Sequence, residues 1–103
     1  MEIVWLGHSC FRIRGREATI LTDPCPPSSG YNIGKPTADI VTISHGHDNH
    51  KYVKAVAGAP RIIDGPGEYE IHGAFITGIS TYHDNEKGAE RGKNLCFILE
   101  MED

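Results

Sequence analysis

No apolar stretch in this 103-residue chain approaches the ~20 residues that a membrane helix needs. No basic run is present either. The ten Lys and Arg are scattered and are outnumbered by fourteen Asp and Glu, for a formal net charge of −4. That balance argues against a general nucleic-acid binder and against a protein that adheres to anionic membranes. Cysteine is scarce: three residues, at positions 10, 25 and 96, with no Cys-x-x-Cys pair. An odd, dispersed set builds neither a disulfide framework nor a zinc knuckle. Cys10 and Cys96 sit in apolar runs and read as buried free thiols. Cys25 lies in a proline-rich loop, and approach to a metal is its minor reading. The first residues lack the basic and apolar regions of a signal peptide, so cytoplasm is the expected compartment. No internal repeat and no linker divides the chain, and residues 1–103 read as a single domain.

Histidine, by contrast, is concentrated. Three of the six histidines fall in Ser44-His45-Gly46-His47-Asp48-Asn49-His50, directly after an apolar run. Neutral imidazole is the commonest side-chain ligand for transition metals. Three imidazoles held together by a turn are the raw material of a metal site with an open position for water. The bland alternative is a polar loop that happens to be rich in histidine.

The rest of the chain reads as strands broken by turns. Residues 2–6, 9–14 and 18–22 are short β-rich runs separated by Gly7-His8 and Gly15-Arg16-Glu17. Residues 23–30 are a loop whose prolines remove backbone donors. Residues 38–44 are β-branched and almost continuously apolar, as in a buried strand. Tyr52, Val53 and Val56 fall at helical spacing, which predicts one helix over residues 49–57 with Gly58 as its stop. Further strands follow at 61–64, 68–72, 74–81 and 94–101, with a polar, glycine-bearing loop over 84–93. The expected class is α/β: a strand-dominated mixed sheet with one clear helix after the histidine run.

In order and spacing, several of these segments carry a likeness. They are Trp5-Leu6-Gly7-His8-Ser9-Cys10-Phe11, Leu21-Thr22-Asp23-Pro24, residues 38–47 (Ala-Asp-Ile-Val-Thr-Ile-Ser-His-Gly-His), Gly65-Pro66-Gly67-Glu68-Tyr69-Glu70, and Tyr82-His83. The chain resembles the N-terminal half of the metallo-β-lactamase-fold hydrolases, and most of all their small prokaryotic Zn-dependent branch. The resemblance implies half of a sandwich built from two similar αβ halves. The family motif is His-x-His-x-Asp-His, whose three histidines match His45, His47 and His50, while His83 matches the later, isolated histidine. By this resemblance His45, His47 and His83 hold a first metal, with water in the fourth position, and His50 is left for a second. Zinc is the leading metal, with Mn2+ or Fe2+ as alternatives. Asp23 matches a family acid that accepts the far ring N–H of a ligating histidine and fixes its tautomer. Its alternative is a turn-forming Asp before Pro24.

Two departures qualify the likeness. Asn49 stands where the motif has Asp, and a neutral amide is a weak ligand beside a carboxylate. Asp48, one residue early, reads as an N-cap or first-turn acid of the predicted helix. The second departure is length, because the family's later metal ligands have no counterpart here. Among the remaining candidates, His8 is divided between substrate contact and a structural turn. Glu68 and Glu70 share a solvated strand face, and His72 reads as surface. The glycine-bearing stretch 88–93 lacks the spacing of a phosphate loop.

Two functions follow. The first is a metal-dependent hydrolase that uses metal-bound hydroxide on an ester, amide or phosphoester-type bond of an unidentified small molecule. The alternative is a non-catalytic, metal-binding half-domain that assembles as a homo-oligomer. A chain carrying one half of a sandwich leaves a sheet face to be covered, either by a second copy or by the missing C-terminal half of a longer protein.

Overall fold

The computed structural model describes residues 1–44, 51–82 and 93–101. Among the described residues, eight strands form two sheets. Strands β1 (Glu2–Gly7), β2 (Cys10–Arg14), β3 (Thr19–Thr22), β4 (Ile40–Thr42) and β5 (Arg61–Ile63) make the first, in chain order. Pairing is antiparallel from β1 to β3 and parallel from β3 to β5. Strands β6 (Gly67–Ile71), β7 (Ala74–Tyr82) and β8 (Lys93–Glu100) make an antiparallel second sheet.

The alternation of side chains decides what each sheet face meets. On the first sheet, Cys10, Leu21 and Val41 join Cys25, Ile43 and Val56 in one core, and Leu6, Ile33 and Val53 pack against it. That core lies under the two connections that carry the chain between its parallel strands. Ile20, Ile40 and Ile63 point the other way. They form a second core with Ala74 and Ile76 of β7, flanked by Ile13, Tyr69, Phe97 and Leu99. The two sheets therefore pack face to face. Ile20, Ile40, Ile63 and Ile76, four of the largest fully buried side chains, meet there, and area burial of this kind is a main source of stability.

The predicted helix is not there. Among the described residues the segment 51–57 holds only a single 3-10 turn, Val53–Ala55, and Val56 is already extended at φ −85, ψ 123. Tertiary hydrogen bonds override the helical spacing. The Tyr52 N–H donates to Pro24 O at 2.8 Å, and the Ala57 N–H to Pro36 O at 2.9 Å. The latter anchors a parallel bridge between Thr37 and Ala57. Val53 and Val56 are β-branched and lose little by leaving a helix, and they still reach the first core. The other residues of the predicted helix, Asn49 and His50, lie outside the described residues, as does Asp48.

The expectation for Cys96 is also corrected. Its strand exists, but Cys96 is exposed while Cys10 and Cys25 are buried. Its cross-strand partner is Ile79, itself exposed, so both stand on the outer face of the second sheet. A near-continuous apolar run does not say which of its faces is covered.

Among the described residues no helix is long and apolar enough to cross a membrane.

Candidate functional site

β3, β4 and β5 run parallel, and β1 runs the same way through two antiparallel steps. Their C-terminal ends therefore share one rim of the sheet. In open α/β sheets that rim is where ligands bind. Here it carries Gly7-His8 after β1, Asp23 after β3, and Ile43-Ser44 after β4.

Asp23 is the best-defined group on this rim. It is only 7% exposed, one of two buried polar or charged residues among those described. Its backbone N–H donates to Thr42 O at 2.8 Å, prolonging the parallel pairing by one bond. Its φ of 38 lies in the left-handed region, which Asp tolerates better than most residues. This kink turns the carboxylate toward β4. There Oδ1 accepts the Ser44 N–H and Oδ2 accepts the Ser44 Oγ–H, each at 2.6 Å. Such short, charge-assisted bonds are among the stronger ones in proteins. Ser44 is the residue directly before His45, so Asp23 fixes the chain where it enters the histidine run. Ser44 O in turn accepts the Leu95 N–H of β8 at 2.6 Å. Sequence reasoning singled out Asp23 but missed Ser44. Its signal was a lone hydroxyl at the end of an apolar strand.

His8 stands at the same rim, exposed, with φ 52. Its carbonyl accepts the Trp5 indole N–H at 2.9 Å. Tyr31 packs edge-on to both rings, with centroids 5.6 Å from Trp5 and 6.4 Å from His8. Gly7 allows the close approach, for a Cβ there would lie 2.6 Å from the Tyr31 Cβ. His8 therefore belongs to a packed aromatic cluster at the turn after β1. Tyr31 could not be found from sequence, because it lies in the irregular connection after β3.

Beneath the rim lie two thiols. Cys25 Sγ donates to Gly7 O at 3.8 Å, so this thiol is directed into the core. Burial, then Cys25, then Asp23 push the Cys10 thiol up to about 12. Raised above its ordinary value of 9.0, it keeps its proton longer in the folded chain than in the unfolded one. The stability this confers is complete below about pH 9 and is lost as pH rises toward about 12. A disulfide reagent should accordingly modify one thiol, Cys96, in the folded protein near pH 8, and all three after denaturation. Fast reaction of two or three thiols without unfolding would contradict the buried placement.

His72 lies elsewhere. It sits exposed at φ 50 in the β6–β7 turn, beside Thr19 and Asp39 at the opposite end of β3. Glu68 and Glu70 are exposed on β6, as the sequence predicts. His45, His47, His50 and His83 lie outside the described residues. Among the described residues no group of three His, Cys, Asp or Glu could hold a metal ion.

Residues 2–103 match the family model of the β-lactamase superfamily domain. The chain belongs to that superfamily. Its curated relatives include a UPF0173 protein of Pyrococcus furiosus, 42% identical over 50 residues, or 48% of this chain and 23% of that one. Another is a UPF0173 metal-dependent hydrolase of Rhizobium leguminosarum, 43% identical over 56 residues, again 48% of this chain and 24% of the relative. A crystal structure from Thermotoga maritima, described as a Zn-dependent hydrolase of the metallo-β-lactamase superfamily, superposes with a TM-score of 0.75 at 42% identity. It covers 97% of this chain and 44% of its own. A structure from Parabacteroides distasonis shares the fold, with a TM-score of 0.68 at 19% identity. The matches cover 44% of the Thermotoga maritima chain and 23–24% of these two curated relatives. The chain corresponds to their N-terminal half.

Proposed function

We propose that this superfamily domain is the metal-binding half of a metal-dependent hydrolase, with His45, His47 and His83 as ligands and zinc as the metal. The observation that carries the reading is the Asp23–Ser44 arrangement. A buried carboxylate, braced through two hydrogen bonds, sits at the entry to the histidine run. Carboxylates so placed orient ligating imidazoles and raise their basicity. The donor set fits the metal, since imidazoles with an open position suit zinc. When bound, such a metal acidifies water and polarises the bond under attack.

The chain's own residues supply the frame. Asp23 holds the ligand segment through Ser44. Gly7, Trp5, His8 and Tyr31 form an aromatic wall on the same rim, suited to contact the apolar part of a substrate. His50 is the histidine left for a second metal, and alone it does not complete that site. The substrate class is an ester, amide or phosphoester, a breadth set by the fold's use for many chemistries. A second reading is favoured by Asn49, which replaces the carboxylate of the family motif. It is a half-domain that binds metal without turnover.

Elemental analysis, with ester, phosphodiester and lactam probes, separates the two. The first reading expects about one zinc per chain, and turnover that a chelator removes and zinc restores. Stoichiometric zinc with no turnover selects the second. Folded protein that takes up no metal refutes both.

A further inference from the structure

The second sheet reaches the rim where β7 ends and β8 begins. The last rungs of that pairing join Ser80 to Leu95, Thr81 to Asn94 and Tyr82 to Lys93. The Leu95 N–H donates to Ser44 O at 2.6 Å, so these rungs lie against the end of β4. His45 follows Ser44 directly, and His83 follows Tyr82. The two segments that carry the first metal's proposed ligands therefore start from one short stretch of the rim.

One of these rungs is out of character. Asparagine is depleted in strands, yet Asn94 stands in β8 at the head of the apolar residues 95–99. It is partly buried and faces Thr81. The Asn94 side-chain amide donates to Thr81 Oγ1 at 3.1 Å, and the Thr81 hydroxyl donates to Asn94 O at 3.3 Å. The hydroxyl thus gives and receives within a single rung, as its one donor and two acceptor sites allow. Farther along the same face Cys96 meets Ile79, and Ile98 meets Thr77. Neither pair can exchange side-chain hydrogen bonds, because isoleucine has no polar group.

We propose that Thr81 and Asn94 are positioning residues for the metal site. Their reciprocal hydrogen bonds fix the end of β7 against Ser44, and so set His83 relative to His45 and His47. This assignment rests on the three-histidine reading of the site. A continuous line of bonds supports it. Asp23 accepts from Ser44, Ser44 O accepts from Leu95, and Asn94, next to Leu95, is held to Thr81. Asp23 braces the chain one residue before His45. The Thr81–Asn94 rung braces it two residues before His83. Element ends fray at little cost in free energy, and a side-chain ring on the last rung but one opposes this where β7 ends. Metal ligands need such supports to hold a productive geometry, and losing one costs about 10–100-fold in metal affinity.

The test uses the 103-residue protein and does not depend on turnover. Zinc affinity is measured by competition with a chromophoric chelator, beside thermal melts of the metal-free protein. Thr81→Val keeps the β-branched shape but removes the hydroxyl, and should weaken zinc about tenfold or more. Thr81→Ser keeps the hydroxyl but loses the branch that favours a strand. It should melt lower and still bind zinc as the wild type does. Thr77→Val removes a hydroxyl from the same face of β7 and should leave zinc affinity unchanged. Affinity then follows the hydroxyl at position 81, not stability. Affinity that tracks Tm across the three variants would overturn the brace. So would wild-type affinity in Thr81→Val while His83→Ala weakens zinc, and either result leaves the three-histidine reading standing. Wild-type protein that takes up no zinc, or binds it no better than His83→Ala does, would overturn that reading and the brace with it.

Discussion

His47→Ala should empty the metal site and abolish turnover together. An open zinc site uses three protein ligands, and two imidazoles hold the ion far less tightly than three. Without the ion, water loses the acidification that brings its pKa to about 7. A loss of at least roughly 10³-fold in turnover follows, because little hydroxide is then available at neutral pH. Metal content by elemental analysis should fall in parallel, and the wild-type protein after chelation should match the variant. Turnover retained by His47→Ala would end the three-histidine assignment. Because the fold rests on two apolar cores that contain no histidine, the far-UV circular dichroism of the variant should stay that of the wild type.

Asp23 should divide into two effects according to what replaces it. Asp23→Ala removes the acceptor for both Ser44 donors and puts Ala at a left-handed φ of 38. Losing two hydrogen bonds to a buried carboxylate costs on the order of 3 kcal/mol. For a domain of this size that lowers Tm by roughly 12–24 °C, at about 4–8 °C per kcal/mol. Asp23→Asn should behave differently. Asn tolerates the left-handed region, and its carbonyl oxygen can accept the Ser44 N–H. Its amide is neutral, however, and no longer raises the basicity of a ligating imidazole. Most of the stability should survive while metal affinity drops about 10–100-fold. Thermal melts and metal titrations on the two variants separate these outcomes. Equal metal affinity in Asp23→Asn and wild type would leave Asp23 a structural brace alone.

Much of this architecture is legible in the sequence. All eight strands occur where short β-rich runs are bounded by glycine, proline or polar turns. The superfamily is legible because its marks, from Trp5 to Tyr82, are local and ordered. Residues 49–57 misled because periodicity measures which side chains go inward, not which backbone partners win. Val53 and Val56 do go inward. Bonds to Pro24 and Pro36, about thirty and twenty residues earlier in the chain, decide the conformation. Cys96 misled because β8 is apolar on both faces and only one is covered. At the site, Asp23 was readable through resemblance. Ser44 and Tyr31 were not, since each acts through contacts with residues distant in sequence.

The division of the two sheets along the chain has a consequence during synthesis. The five-stranded sheet is fully specified once Ile63 has been added, yet every strand that covers Ile20, Ile40 and Ile63 comes later. At translation speeds of about 5–20 residues per second, the stretch from there to Met101 takes roughly 2–8 s. Until the second sheet follows, the first layer has nothing to lay upon it. A growing polypeptide in that state presents a sticky aliphatic surface, the kind that holding chaperones bind and that neighbouring nascent chains can seize. The order in which these strands leave the ribosome thus keeps that surface open until the second sheet follows.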